Sequence, residues 1–276
     1  MKYFSLCVEH ATSEFDSLVI PLVHRMIYLE NLNLSLRLSE RTTFVDFDYL
    51  EISLLNHMSC LQKFTFNFCI DHLFMNEDDA RPSFDNIRRT FIENGYNVDG
   101  YVYYTNYLDR IVSQYHVYSF PYLFDYLQPI SHSFPGGLFQ NVTAVWLRDV
   151  HNSFEHNFFL KISQSFPLLR HLLILSLIEQ KHESKEVSSI IEFPHLIELL
   201  CTHVHMNYVE QMLSDLNTRL PSLIRLHVQY EHLLIVTENF TRNATRINCA
   251  RLKSIIFEGE LTMVHSKEFY LYFPSL

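Results

Sequence analysis

Leu169-Arg-His-Leu172-Leu-Ile174 is followed at the same interval by Leu196-Ile-Glu-Leu199-Leu-Cys201 and then by Leu223-Ile-Arg-Leu226-His-Val228. Each stretch has a large apolar residue at its first, fourth and sixth positions. Val142-Thr-Ala-Val145-Trp-Leu147 lies one interval upstream and Leu252-Lys-Ser-Ile255-Ile-Phe257 one downstream. The starts at 142, 169, 196 and 223 are each 27 apart, and 252 follows after 29. The pattern returns near the beginning, in Met1-Lys-Tyr-Phe4-Ser-Leu6, Leu29-Glu-Asn-Leu32-Asn-Leu34 and Leu61-Gln-Lys-Phe64-Thr-Phe66. Single occurrences arise by chance in a chain that is 48% hydrophobic, but recurrence at one interval does not. The period falls in the range of leucine-rich repeats.

The spacing has a direct physical reading. Each motif is a short strand whose alternate apolar residues face a core, and the rest of the period returns the chain, partly as helix. Helical spacing is visible in Asn152 to Ser165 (Phe154, Phe158, Phe159, Ile162) and in Asn207 to Arg219 (Tyr208, Met212, Leu213, Leu216). Prolines at 167, 194 and 221 stop the chain just before three of the strands. The fold class read from this is α/β: a leucine-rich-repeat solenoid over residues 1–276, with parallel strands on a concave face and helices on the convex face. The strands are expected to stack in chain order. Leu172, Leu199, Leu226 and Ile255 should be buried in one row.

Residues 68–141 form an irregular section. From 61 to 142 is three periods of 27, yet no clean motif falls at the two intermediate positions. The stretch contains an acidic loop from Asn76 to Arg81, a helical pattern from Phe84 to Glu93, and a tyrosine-rich run from Tyr96 to Tyr107. It reads as two degenerate repeats or as an inserted hairpin. At the ends, the motif begins at Met1, and Phe273-Pro-Ser-Leu276 repeats the lead-in to a further strand. Neither end carries a polar capping unit, so a middle segment of a longer product is expected.

These phrases resemble divergent leucine-rich-repeat proteins that follow an N-terminal F-box. The similarity runs along nearly the whole chain and is carried by Phe134-Pro-Gly-Gly137, Glu155-His-x-Phe-Phe159, Val236-Thr-Glu-Asn-Phe-Thr-Arg242 and His265-Ser-Lys-Glu-Phe-Tyr-Leu-Tyr-Phe-Pro274. In that family the F-box recruits a ubiquitin ligase through an adaptor, and the repeats select the target. The resemblance therefore implies a substrate-recognition role and ubiquitin-ligase components as partners. No F-box stands before the first motif of this sequence.

Composition narrows the function. Lys plus Arg number 21 against 31 Asp plus Glu, a net charge of −10, and no basic stripe is present to release counterions from phosphates, so nucleic acid is not the expected partner. The longest apolar run, Leu172 to Ile178, is far short of a membrane helix. No signal peptide is visible, which points to the cytoplasm with the nucleus left open. Four Asn-x-Ser/Thr sites, at Asn33, Asn141, Asn239 and Asn243, would matter only outside it. Cys7, Cys60, Cys69, Cys201 and Cys249 are odd in number and widely spaced, and read as reduced core thiols.

No catalytic or cofactor-binding residues are expected, and the partner is a protein. The best metal candidate, Cys201-Thr-His203-Val-His205, places its Cys at an inward position, and three alternate strand residues rarely close a tetrahedral site. A metal-binding or hydrolytic protein built on His and Cys is the alternative reading. The binding surface follows from the strand alternation. The outward fifth positions are Ser5, Asn33, Thr65, Trp146, Leu173, Leu200, His227 and Ile256. Trp146, Leu173 and Leu200 form an apolar triplet, His227 continues the column, and Arg148, Glu198 and Arg225 supply a charged rim. This is the anatomy of a binding hot spot, unless the segment from Tyr96 to Ser133 folds over it.

Overall fold

The computed structural model describes residues 2–75, 81–107, 110–180, 189–258 and 266–276. The chain is a mixed α/β protein whose residues fall into two compact units, Met1–Phe124 with Ser133–Pro135, and Asp125–His132 with Gly136–Leu276.

The first unit holds a mixed sheet of β1 (Tyr3–Thr12), β2 (Asn31–Leu38), β3 (Lys63–Met75), β4 (Val98–Tyr107) and β5 (Arg110–Ser119), in the order β1-β2-β3-β5-β4. β1, β2 and β3 are parallel, with Leu6 opposite Leu34 and Leu34 opposite Phe66. Short helices α1 (Ile20–His24) and α2 (Phe47–Ser53) lie between them in sequence, and α3 (Phe84–Glu93) follows β3. Side-chain caps start two of the helices: Asp46 accepts from the Tyr49 amide at 2.9 Å, and Ser83 from the Asn86 amide at 3.3 Å. Leu32, Leu34, Phe66, Phe68 and Phe91 are fully buried in this unit's core.

The second unit holds an all-parallel sheet of β6 (Tyr126–Ile130), β7 (Ala144–Arg148), β8 (His171–Leu175), β10 (Glu198–Cys201), β12 (Arg225–Val228) and β13 (Ser254–Phe257), adjacent in that order. Two further short strands, β9 (Ile191–Glu192) and β11 (Thr218–Arg219), pair with each other in parallel. The helices are α4 (His156–Ser165), α5 (Met206–Leu213), α6 (Tyr230–Val236), α7 (Asn243–Cys249) and α8 (Lys267–Tyr272). Tyr208 of α5 accepts from the Phe154 amide at 3.0 Å and reaches Ser176 Oγ and the Ile178 carbonyl. The buried Asn248 amide donates to the Leu213 and Thr218 carbonyls and accepts from the Leu220 amide. These bonds tie the returning segments to one another where water cannot.

One local geometry recurs at the seven motifs after the first. The first-position amide donates back three residues: Leu29 to Met26, Leu61 to Met58, Val142 to Phe139, Leu169 to Phe166, Leu196 to Phe193, Leu223 to Leu220 and Leu252 to Cys249. The next two amides then share one carbonyl of the neighbouring strand's second position. Arg170 and His171 share Thr143 O, Ile197 and Glu198 share Arg170 O, Ile224 and Arg225 share Ile197 O, and Lys253 and Ser254 share Ile224 O. The turn therefore sets the register. Glu198 faces both His171 and Arg225, one motif interval away on either side.

Strands begin at the third motif position, two residues later than the motif starts suggest, because the first two positions belong to this turn. Met1 lies outside the described residues, as does most of the acidic loop at 76–80. The expected single stack is interrupted. The motif strands starting near 61 and 142 lie in different sheets, because β5 takes the free edge of β3 in antiparallel fashion, and β4 pairs with β5 as a hairpin. Valine- and tyrosine-rich strands of this length satisfy that edge readily. The shared-carbonyl geometry also occurs at Phe124-Asp-Tyr-Leu127: the Thr143 and Ala144 amides share Asp125 O, and Leu127 is fully buried.

Leu172, Leu199 and Leu226 are completely buried, whereas Ile255 is only partly so, since among the described residues β13 ends its sheet and has a strand neighbour on one side. Leu216 falls beyond α5 and is exposed. Cys69, Cys201 and Cys249 are core thiols, but Cys7 and Cys60 are exposed, on an edge strand and in a turn.

Candidate functional site

The outward face of the parallel sheet is built by strict alternation. In β7 and β8 the even positions Val145, Leu147, Leu172 and Ile174 are buried, while Ala144, Trp146, Arg148, His171, Leu173 and Leu175 are half-exposed. In β10 and β12 the same alternation brings out Glu198, Leu200, Arg225 and His227. Register turns these into rows across the sheet. Trp146, Leu173, Leu200, His227 and Ile256 are successive partners, as are Ala144, His171, Glu198, Arg225 and Ser254. The structure thus brings Trp146, Leu173, Leu200 and His227 into one row, with Glu198 and Arg225 in the next and Arg148 beside Leu175.

At one end of the apolar row lies a well of about 150 Å³. Tyr126, Ala144, Val145 and Trp146 line one side of it, and His171, Leu173 and Leu200 the other. Tyr126 was not singled out from sequence. Its signal was the off-period motif at Phe124, which falls eighteen residues before Val142 instead of 27. A second depression of about 190 Å³ lies toward the strands' C-terminal ends, between Arg148, Asp149, Val150, Leu175, Ser176, Leu177, Ile178 and His203.

Beside the well, Glu198 is the hub of a charged cluster. Its Oε1 accepts from Arg225 Nε at 3.0 Å and from His227 Nε2 at 3.1 Å, and its Oε2 from His171 Nδ1 at 2.8 Å and Arg225 Nη2 at 3.3 Å. Burial alone would raise the carboxyl pKa. The hydrogen bonds from Arg225, His171 and His227 outweigh it and pull the value down to about 2. Farther along, Glu258 accepts from Gln229 Nε2 at 3.0 Å and pairs with His203 at 2.8 Å.

Asp149 is buried at the end of β7, where burial opposes its charge, but donors from His132 and from the His151 and Asn152 amides more than compensate and lower its pKa. Those amide bonds, at 2.9 and 2.8 Å, make Asp149 the organiser of the loop after β7. The side chains of the candidate metal triplet do not converge. Cys201 is wholly buried, with burial pushing its thiol pKa up. His203 pairs with Glu258, and His205 caps α5 by accepting from the Asn207 amide at 3.4 Å. Among the described residues no group of three His, Cys, Asp or Glu is placed to hold a metal, and no helix is long and apolar enough to cross a membrane.

Comparison with protein-family models, with curated proteins and with solved structures found no match to this chain.

Proposed function

We propose that the chain is a non-enzymatic protein-interaction module of leucine-rich-repeat type, an irregular solenoid whose outward sheet face holds the partner. Trp146, Leu173, Leu200 and His227 are its contact row, with Arg148, Glu198 and Arg225 at the rim. The observation that carries this reading is the apolar row itself. Leu172, Leu199 and Leu226 already furnish the core at the alternate positions, so folding does not require large apolar side chains at Trp146, Leu173 and Leu200. Their partial exposure beside a well and a charged rim has the composition of a binding centre. The recurrent turn and shared-carbonyl geometry supports the repeat reading. The resemblance in sequence extends the proposal to target selection for an F-box type ubiquitin ligase in the cytoplasm or nucleus, with the adaptor engaged by an F-box.

The test is capture by the tagged full chain in four forms: wild type, Trp146→Ala, Leu200→Glu, and Ile247→Glu as a control on the exposed side of α7. A protein retained by wild type and by the α7 control, but lost with both face variants, is the expected outcome. Identical capture by all four forms would remove the assignment of this face. Adaptor-dependent ubiquitylation of the captured protein, once an F-box is joined to the chain, checks the ligase extension.

A further inference from the structure

The cluster next to the well has a charge character unlike that of the chain around it. Glu198 contributes one negative charge and Arg225 one positive charge, so the ion pair is neutral. It sits within a chain of net charge −10. Glu198 is kept ionised by its donors, and its side chain is 18% exposed, whereas that of Arg225 is 45% exposed. Arg225 spends Nε and one Nη2 hydrogen on Glu198. Its Nη1 hydrogens have no protein partner among the described residues, and a guanidinium with an open edge is a ready receptor for a second carboxylate.

Resting on the binding-face reading above, we propose that this face takes an extended protein segment carrying a large apolar residue and, about three residues away, an Asp or Glu side chain. The apolar group fills the well between Trp146, Leu173 and Leu200, and the carboxylate lies on the open edge of Arg225, beside His227 of the same strand. The spacing follows from the sheet. From β8, where His171 and Leu173 line the well, to β12, which carries Arg225, is two strand steps of about 4.8 Å each. An extended chain advances about 3.3 Å per residue, so roughly three residues span that distance. His171 belongs to both features, since it lines the well and donates to Glu198. The two subsites are therefore continuous.

The probe is a displayed library of random short peptides selected on the immobilised full chain. Enriched peptides should share an apolar residue and an acid at this spacing. Replacing the acid by its amide should weaken binding about tenfold or more, the scale of one charge-assisted pair. The double variant Arg225→Gln with Glu198→Gln removes the receptor without stranding a charge. It should bind the acidic peptide as weakly as wild type binds the amide, with little difference between the two peptides. Enrichment without an acid, equal binding of acid and amide, or no enrichment would each overturn the inference. If that happens while Leu200→Glu still abolishes capture of the native partner, the binding face stands and only its acidic specificity falls. If neither the peptide nor the native partner depends on this face, both fall.

Discussion

The outward positions of β3 and of β8 occupy the same place in the motif, yet they meet opposite fates. In β3, Thr65 and Asn67 are buried along with Phe64, Phe66 and Phe68, so both faces of that strand are closed. The outward face there is polar and satisfied internally. Asn67 donates to Ser35 Oγ at 2.9 Å and accepts from His116 Nε2 at 2.7 Å, and all three residues are buried. In β8 the equivalent positions are His171, Leu173 and Leu175, half-exposed around a well. A closed face must spend its polar groups on each other, while an open one can keep apolar surface and charge for a partner. The contrast is the reason the proposed recognition face is placed in the second unit.

The sharpest way to break that comparison is through the core that both regions need. Leu226→Ala should cost about 2 to 5 kcal/mol in denaturant melts, as for other fully buried leucines, and Ile255→Ala clearly less, because Ile255 is only partly buried. Equal losses would mean that β13 is covered as fully as β12.

A smaller effect tests the closed face. Asn67→Ala removes two buried hydrogen bonds, one to Ser35 and one from His116, and should cost about 1 to 3 kcal/mol. The corresponding truncation on the open face, Leu173→Ala, should cost markedly less. A reversed order in thermal melts would show that the open face is the structural one.

A third effect lies in pH. The carboxyl of Glu198 is held near 2 when folded, below its ordinary value of 4.5, so the folded protein favours the ionised form. Its contribution to stability is complete above about pH 4.5 and is lost as pH falls towards 2. The stability difference between wild type and Glu198→Gln should therefore shrink across that window. A difference that is flat from neutral pH down to pH 2 would mean that the cluster does not hold the carboxylate.

Much of this was legible in the sequence for a definite reason. Burial requires apolar residues at the first, fourth and sixth positions, and the 27-residue interval then dictates which outward residues become neighbours. Hence the row of Trp146, Leu173, Leu200 and His227 and the charged rim of Glu198 and Arg225 could be read before any coordinates, whereas their ion pair could not. The fate of the edge of β3 could not. Valine- and tyrosine-rich runs such as Val98 to Tyr107 specify a strand but not the partner it chooses or its direction. The strand at Tyr126 escaped because its motif is off-period and Pro129 interrupts its alternation. The loop organised by Asp149 and His132 left no signal, since these residues are far apart in sequence and follow no spacing rule. The division of the cysteines into three buried and two exposed was likewise invisible, because nothing in their spacing separates Cys7 and Cys60 from the rest.

The comparison rests in the end on whether the face around the well is open, and the chain's single tryptophan sits on it. Acrylamide quenching of Trp146 fluorescence in the free, folded protein reads this directly. An open face predicts ready quenching, reduced when the captured partner or a selected peptide is added, and a melting temperature that Trp146→Ala leaves almost unchanged. An indole that acrylamide barely reaches in the free protein, together with unfolding by Trp146→Ala, would make the row part of the core and contradict the account.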